Sequence, residues 1–166
     1  MTSDSDDAAD VLIRYVIVGT FEPETLSKRL GIPASACWRA GDVCPPKRVA
    51  EKSDGWVLES AFERSDEVVT RVGAMLGALY SLRRKLAALR RRWRLSTSLQ
   101  VVIYLRRSTG PDLSFPSDML VRVAAVADDF GIDLYGDSLG GLAQGGAAPR
   151  GDQSLHRPRR GRARVR

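Results

Sequence analysis

Residues 15–24, YVIVGTFEPE, decide the fold of this chain of 166 residues. The first five are apolar on both faces of an extended segment, which is typical of a strand inside a sheet. Pro23 suits the first turn of a helix, where its missing N–H would have no partner, and Gly31 suits a left-handed cap at the other end. The stretch therefore predicts a central strand that leads into a helix over residues 23–30.

Further strands follow from short apolar runs. We expect a short strand at Trp38, a strand that starts at Gly55-Trp56, an alternating strand over residues 99–105, and a last strand over residues 132–135. In the last strand we expect Ile132 and Leu134 to face the core, which leaves Asp133 and Tyr135 together on the opposite face because side chains alternate along a strand.

Two further helices follow from apolar residues that recur every three or four positions. The longest helix is expected to begin after a cap at Ser65 and to continue to Leu89 with a break near Tyr80. The next helix is expected to start at Pro116 and to end at Gly131. Together these elements predict an α+β fold: a single domain with one mostly antiparallel or mixed β-sheet of four to five strands, covered by about three helices.

Charge is concentrated at the two ends of the chain. Residues 1–10 contain four Asp and no base, whereas residues 139–166 contain seven Arg and one Asp, so the net charge of the tail, +6, equals that of the whole chain. We predict a disordered acidic N-terminus over residues 1–10 and an α+β domain over residues 11–137. A disordered tail rich in Gly, Pro and Arg is expected over residues 138–166.

The composition of the chain argues against a membrane or secreted location and against chemistry based on histidine or zinc. No apolar run approaches the ~20 residues of a membrane helix, and the acidic start is unlike a secretory signal, so we expect a cytoplasmic protein with no membrane partner. Cys37 and Cys44 are interpreted as reduced thiols. The single histidine, His156, lies in the tail, so histidine-based catalysis and a zinc site lack their ligands in the domain. We expect no cofactor and no metal, and we assign no catalytic residue.

The order of these features resembles the bacterial domain of unknown function 4279 (DUF4279) family. The resemblance covers residues 14–135 and is carried by Pro23 with Leu26, by Leu30-Gly31-Ile32-Pro33, by Gly41, by Gly55-Trp56 and by Ile132-Asp133-Leu134-Tyr135. It implies an architecture of strands and helices in this order. It implies no activity.

Five residues form a candidate binding or structural motif, because the family pattern keeps large polar or aromatic residues near strand ends: Trp38, Arg39, Trp56, Asp133 and Tyr135. Trp56 is interpreted as a core residue in preference to a ligand platform, since its neighbours in sequence are apolar. Asp133 is interpreted as structural, with its carboxylate held by a loop or an Arg. The alternative is an acid/base or metal constellation of Asp128, Asp129, Asp133 and Asp137.

A second candidate surface is a cluster of bases with Trp93 among them. Its members are proposed for nucleic-acid contact: Arg83, Arg84, Arg90, Arg91, Arg92 and Arg94. The simpler interpretation is an amphipathic helix whose solvated face carries arginines, with Leu82, Leu86 and Leu89 on the other side.

Three functions from different classes remain, in order of preference. The first is a small, non-catalytic protein-binding module, of which an immunity-type partner of a bacterial toxin is one form; the partner is then an unknown protein. The second is an accessory protein that binds nucleic acid weakly and without sequence preference through the arginine cluster and the basic tail. The third is a carboxylate-dependent enzyme centred on Asp133.

Overall fold

The structure, a computed structural model, describes residues 9–44, 49–65, 67–105 and 111–136. Within these ranges the chain forms six strands and four helices. In chain order they are β1 (Ala9–Gly19), α1 (Pro23–Leu30), β2 (Ala36–Trp38), β3 (Asp54–Glu59), β4 (Glu63–Ser65), α2 (Val68–Ser81), α3 (Arg83–Trp93), β5 (Ser96–Leu105), α4 (Ser117–Val126) and β6 (Asp129–Gly136).

All six strands belong to one mixed sheet. The strand order is β2-β3-β1-β5-β6, and β4 pairs with the first residues of β1. Neighbouring strands are antiparallel except β5 and β6, which run parallel and are connected through α4. The strand β1 therefore lies at the centre of the sheet, as its two apolar faces predicted.

The four helices cover one face of the sheet. Their buried side chains form a single core with alternate residues of β1, from Ala9 to Ile17, and with Leu99, Val101 and Ile103 of β5. Residues that alternate with these, such as Leu12, Val57 and Val102, are not part of that core. They line the opposite face. We call it the open face, because no helix of the described ranges contributes to its packing.

The predicted α+β class with a single mixed sheet is confirmed, and α1 has the predicted bounds. Gly31 ends that helix with a φ of 77°. The described residues contain six strands in place of four to five, because β4, with three residues, is too short to show an alternating pattern. They contain four helices in place of about three, because the predicted break separates α2 from α3 at Leu82.

Two predicted helix boundaries are wrong. The helix α2 begins at Val68, and Ser65 belongs to β4, where it pairs with Ala9. The helix α4 ends at Val126, whereas Gly131 lies within β6 opposite Gln100. In both cases a residue that the local pattern assigned to a helix end belongs to a strand, because it pairs with a residue that is distant in sequence.

Ile132 and Leu134 lie on the helix-covered face, as predicted, because they pair with the core residues Val101 and Ile103, but they are not buried there. Their exposed fractions are 37% and 51%. The reason is the position of β6: it pairs with β5 along one side, and no strand of the described ranges pairs with its other side. An alternating pattern predicts which residues share a face, but it does not reveal whether helices reach far enough to cover that face.

The first strand starts two residues before the predicted beginning of the domain. Ala9 and Asp10, expected in the acidic N-terminus, belong to β1. The rest of that terminus and the predicted basic tail, residues 138–166, lie outside the described residues. None of the helices in the described ranges has the length and apolarity needed to cross a membrane.

Candidate functional site

Trp38 is a covering residue on the open face. It pairs with Gly55 of β3, and its ring lies directly on that glycine: a β-carbon at position 55 would be 2.0 Å from Trp38 Cε2. The indole N–H donates to the backbone oxygen of Ser53 at 3.0 Å. One face of the ring therefore covers Gly55 and the indole N–H has an acceptor, and these two contacts hold Trp38 against the sheet.

Arg39 forms an exposed ionic cluster with the start of α1. Its guanidinium lies 2.9 Å from Glu24 Oε2 and 3.3 Å from Glu22 Oε1. Hydrogen bonds from the Thr25 hydroxyl and from Arg39 hold the pKa of Glu22 below its usual value. Exposed ion pairs contribute little to stability, because water screens the charges. The cluster links the residue after β2 to the start of α1, and its charged groups are paired with one another.

Asp54 joins two loops beside this cluster. Its carboxylate accepts the backbone N–H of Ala40 at 2.9 Å and that of Phe21 at 2.8 Å. These two hydrogen bonds hold the pKa of Asp54 below its usual range. Asp54 is not among the site residues predicted from sequence, although its position directly before Gly55-Trp56 is a signal that could have identified it.

Trp56 lies in the core, as predicted. It is fully buried on the helix-covered face, and its indole N–H donates to Ser27 Oγ at 2.8 Å. Because Trp38 shares a face with Gly55, the neighbour of Trp56, the two tryptophans are on opposite faces of the sheet. They do not form one site.

Asp133 and Tyr135 lie far from Trp38 and Arg39. Tyr135 shares a cross-strand row with Tyr104 and Asp10, whereas Trp38 shares a row with Val18. The two rows are eight steps apart along β1, from Asp10 to Val18, which is about 26 Å at ~3.3 Å per residue. The five candidate residues therefore occupy three separate places.

The carboxylate with structural partners is Asp128, not Asp133. Asp128 Oδ2 accepts both the backbone N–H and the hydroxyl of Thr97, each at 2.9 Å, and Arg90 forms an ion pair with Oδ1. No side-chain hydrogen bond or ion pair joins Asp133 to another residue in the described ranges. The expected anchoring of the last strand therefore comes from the residue that precedes β6.

The surroundings of Asp128 do not form a reactive centre. A shallow, open depression of about 330 Å³ is lined by Ala87, Arg90, Arg91, Leu95 and Asp128. Nearby, the hydroxyl of Tyr15 donates to the backbone oxygen of Val126, and burial raises the pKa of that phenol to about 12. A neutral phenol and a paired carboxylate lack the free base that acid/base catalysis needs. Within the described ranges no three His, Cys, Asp or Glu residues are arranged to hold a metal.

The proposed nucleic-acid cluster divides into two groups. Arg83 donates to the backbone oxygen of Tyr80 and lies 4.3 Å from the centroid of that ring, and Arg90 is paired with Asp128. The other four are exposed: Arg84, Arg91, Arg92 and Arg94. Bases at the end of α3 also complement the negative end of the helix dipole. The helix belongs to the layer opposite the open face.

A patch of aromatic residues that were not grouped by the sequence pattern lies on the open face. Phe62, Tyr104 and Tyr135 have exposed fractions of 57%, 43% and 51%. The rings of Tyr104 and Tyr135 are stacked with centroids 5.0 Å apart, and Phe62 meets Tyr104 edge-on at 5.7 Å. We call these three residues the aromatic trio. They come from a loop and two strands, so only the sheet register brings them together.

Comparisons with known proteins give one match. The family model described as "Domain of unknown function (DUF4279)" matches residues 14–137, which confirms the resemblance noted from the sequence. Neither a curated protein nor a solved structure matches the chain.

Proposed function

Because the chain belongs to the DUF4279 family, whose description names no activity, we propose from the geometry alone that it is a non-catalytic protein-binding module acting through the open face. The aromatic trio is the observation that carries the proposal. Tyr104 contacts both of the other rings, and the three exposed rings form a contiguous apolar surface on a face that no helix of the described ranges covers. Contiguous exposed apolar surfaces are typical of sites that bind another macromolecule.

The chemistry of the trio suits a protein partner. Tyrosine combines a large apolar ring with a polar hydroxyl, and such residues contribute much of the binding energy at protein interfaces. Stacking of Tyr104 on Tyr135 holds both rings in place before binding, so little side-chain entropy is lost when a partner covers them. An immunity-type role, in which the partner is a bacterial toxin, stays a prediction within this proposal.

The carboxylate-dependent enzyme centred on Asp133 has less support. Asp133 is exposed on β6, and the row that contains it continues with Val102 and Leu12, so no second acid or base of the described strands stands opposite. The carboxylates that do converge with other groups, Asp54 and Asp128, accept hydrogen bonds that fix the backbone. A carboxylate that already accepts structural hydrogen bonds is less available to take a proton from a substrate.

Binding of nucleic acid is the second candidate function, and the exposed arginines of α3 and its C-cap favour it. The position of these arginines argues against a joint nucleic-acid surface, because they lie in the helix layer and the aromatic trio lies on the opposite face of the sheet. One nucleic-acid strand would have to wrap around the domain to use both surfaces. Phosphate contact through α3 alone would be weak and sensitive to salt.

A quantitative affinity purification from native cells tests the proposal. The full chain is compared with a triple variant of the trio, Phe62→Ser, Tyr104→Ser and Tyr135→Ser. The matched control, Leu120→Ser with Val121→Ser, removes exposed apolar side chains from α4. We expect a protein recovered with the full chain and with the control, and lost with the trio variant. Equal recovery with both variants would refute binding through the open face.

A further inference from the structure

We infer that the partner segment of this module is an extended, arginine-bearing peptide that pairs with the free side of β6 and places a guanidinium on the aromatic trio. This inference rests on the proposed function and adds the chemistry of the partner. Three features of β6 carry it: its unpaired side, its acidic residues and the ring of Tyr135.

The unpaired side supplies backbone hydrogen bonds. β6 has eight residues, Asp129–Gly136, and within the described ranges it pairs with β5 alone. The N–H and C=O groups on the other side are a template for an added strand. At the opposite edge of the sheet β2 has only three residues, so β6 offers the longer template.

The charge of β6 selects a basic partner. The strand carries two carboxylates, Asp129 and Asp133, and no base. Both side chains are exposed, and neither has an ion pair within the described ranges. A peptide that bears arginine would supply the missing counter-charges, whereas an acidic peptide or a phosphate backbone would be repelled.

The geometry of Asp133 and Tyr135 favours arginine in particular. The two residues are separated by one position and so share the open face, about 7 Å apart along the strand. A guanidinium is planar and donates two parallel hydrogen bonds to a carboxylate while its plane stacks on an aromatic ring. Asp133 and Tyr135 provide both halves of that arrangement on one face.

The test is a binding titration with a labelled ten-residue peptide of alternating threonine and arginine. Fluorescence anisotropy is measured with the full chain at low and at physiological salt. Its companion probe replaces every arginine with glutamine. Asp133→Asn and Tyr135→Leu are compared with Asp118→Asn, which removes an exposed carboxylate from α4, away from β6.

The expected result is binding of the arginine peptide that weakens about five-fold in Asp133→Asn and about three-fold in Tyr135→Leu, with no change in Asp118→Asn. Equal binding of the glutamine peptide would show that arginine is not what β6 recognises, and it would leave the proposed function standing. Failure of the wild-type chain to bind the arginine peptide would overturn the inference alone, because the open face could still bind another kind of protein.

Two further outcomes decide between occupants. If a single-stranded oligonucleotide binds the wild-type chain and loses affinity in Tyr135→Leu, the inference and the proposed function both fail in favour of nucleic acid. The seven arginines of residues 139–166 could also act as the occupant, since they follow β6 in the same chain. If the arginine peptide binds only after these seven arginines are changed to glutamine, the tail of the same chain is the occupant, and the inference of an external partner is wrong.

Discussion

Asp128 and Thr97 hold each other by hydrogen bonds in both directions. The backbone N–H and hydroxyl of Thr97 donate to the Asp128 carboxylate, while the backbone N–H of Asp128 donates to the backbone oxygen of Thr97 at 2.9 Å. Thr97 is buried and is the second residue of β5, and Asp128 directly precedes β6. The pair therefore fixes the start of β6 relative to β5. That register places Tyr104 beside Tyr135.

The first prediction separates Asp128 from Asp133. Asp128→Ala leaves the buried N–H and hydroxyl of Thr97 without their acceptor, so we expect it to lower the free energy of unfolding by about 1 to 3 kcal/mol. Asp133→Ala removes an exposed carboxylate and should change it by less than about 0.5 kcal/mol. Urea unfolding of both variants gives the two values. A larger loss in Asp133→Ala would restore the structural role predicted for it from sequence.

The contact between Trp38 and Gly55 is tested by a pair of glycine substitutions. Gly55→Ala places a methyl group where the Trp38 ring lies, so we expect a loss of about 1 to 3 kcal/mol and a change in tryptophan fluorescence. Gly77→Ala is the control, because Gly77 lies within α2 with open space around it. It should stabilise the protein by about 0.5 to 1 kcal/mol. Thermal unfolding that shows a gain in both variants would contradict the packing of Trp38.

Arg94 ends α3 with a φ of 53°, a left-handed conformation that costs energy for any residue with a β-carbon. Arg94→Gly should therefore raise the unfolding free energy by about 1 kcal/mol. Arg92→Gly removes the same charge from inside the helix and should lower it by about 1 kcal/mol. Thermal unfolding at matched ionic strength compares them. Similar shifts in both would show that charge, not backbone conformation, decides the effect.

Asp54 makes stability depend on pH in a defined direction. Its pKa is lowered in the folded state, so its contribution is present above the ordinary value near 4 and is lost as pH falls through the folded value. We expect Asp54→Asn to be less stable than wild type at pH 7, with a difference that shrinks as the pH is lowered below about 4. Melting temperatures between pH 7 and pH 3 measure this. If the difference in melting temperature between wild type and Asp54→Asn stays constant with pH, the negative charge of Asp54 does not contribute to stability.

What could be predicted from sequence was the local part of the fold. Pro23 and Gly31 mark the two ends of α1 because both act through their own backbone conformation. The structural role of Asp128 could not be predicted, because its hydrogen bonds to Thr97 join residues 31 positions apart, which no local pattern records. Assembly of the aromatic trio likewise depends on register between strands. Trp38 and Trp56 were grouped by their place near strand ends, and strand pairing puts them on opposite faces.

Photo-crosslinking from position 104 tests the central claim, that the open face binds a protein. A photoreactive phenylalanine analogue replaces Tyr104 in one full-length chain and Leu120 in another, two positions with exposed fractions of 43% and 44% on different sides of the domain. After irradiation in native cells we expect a discrete protein adduct from position 104, none from position 120, and loss of the first when Phe62 and Tyr135 are changed to Ser. Equal adducts from both positions, or an adduct at 104 that nuclease removes, would contradict the account.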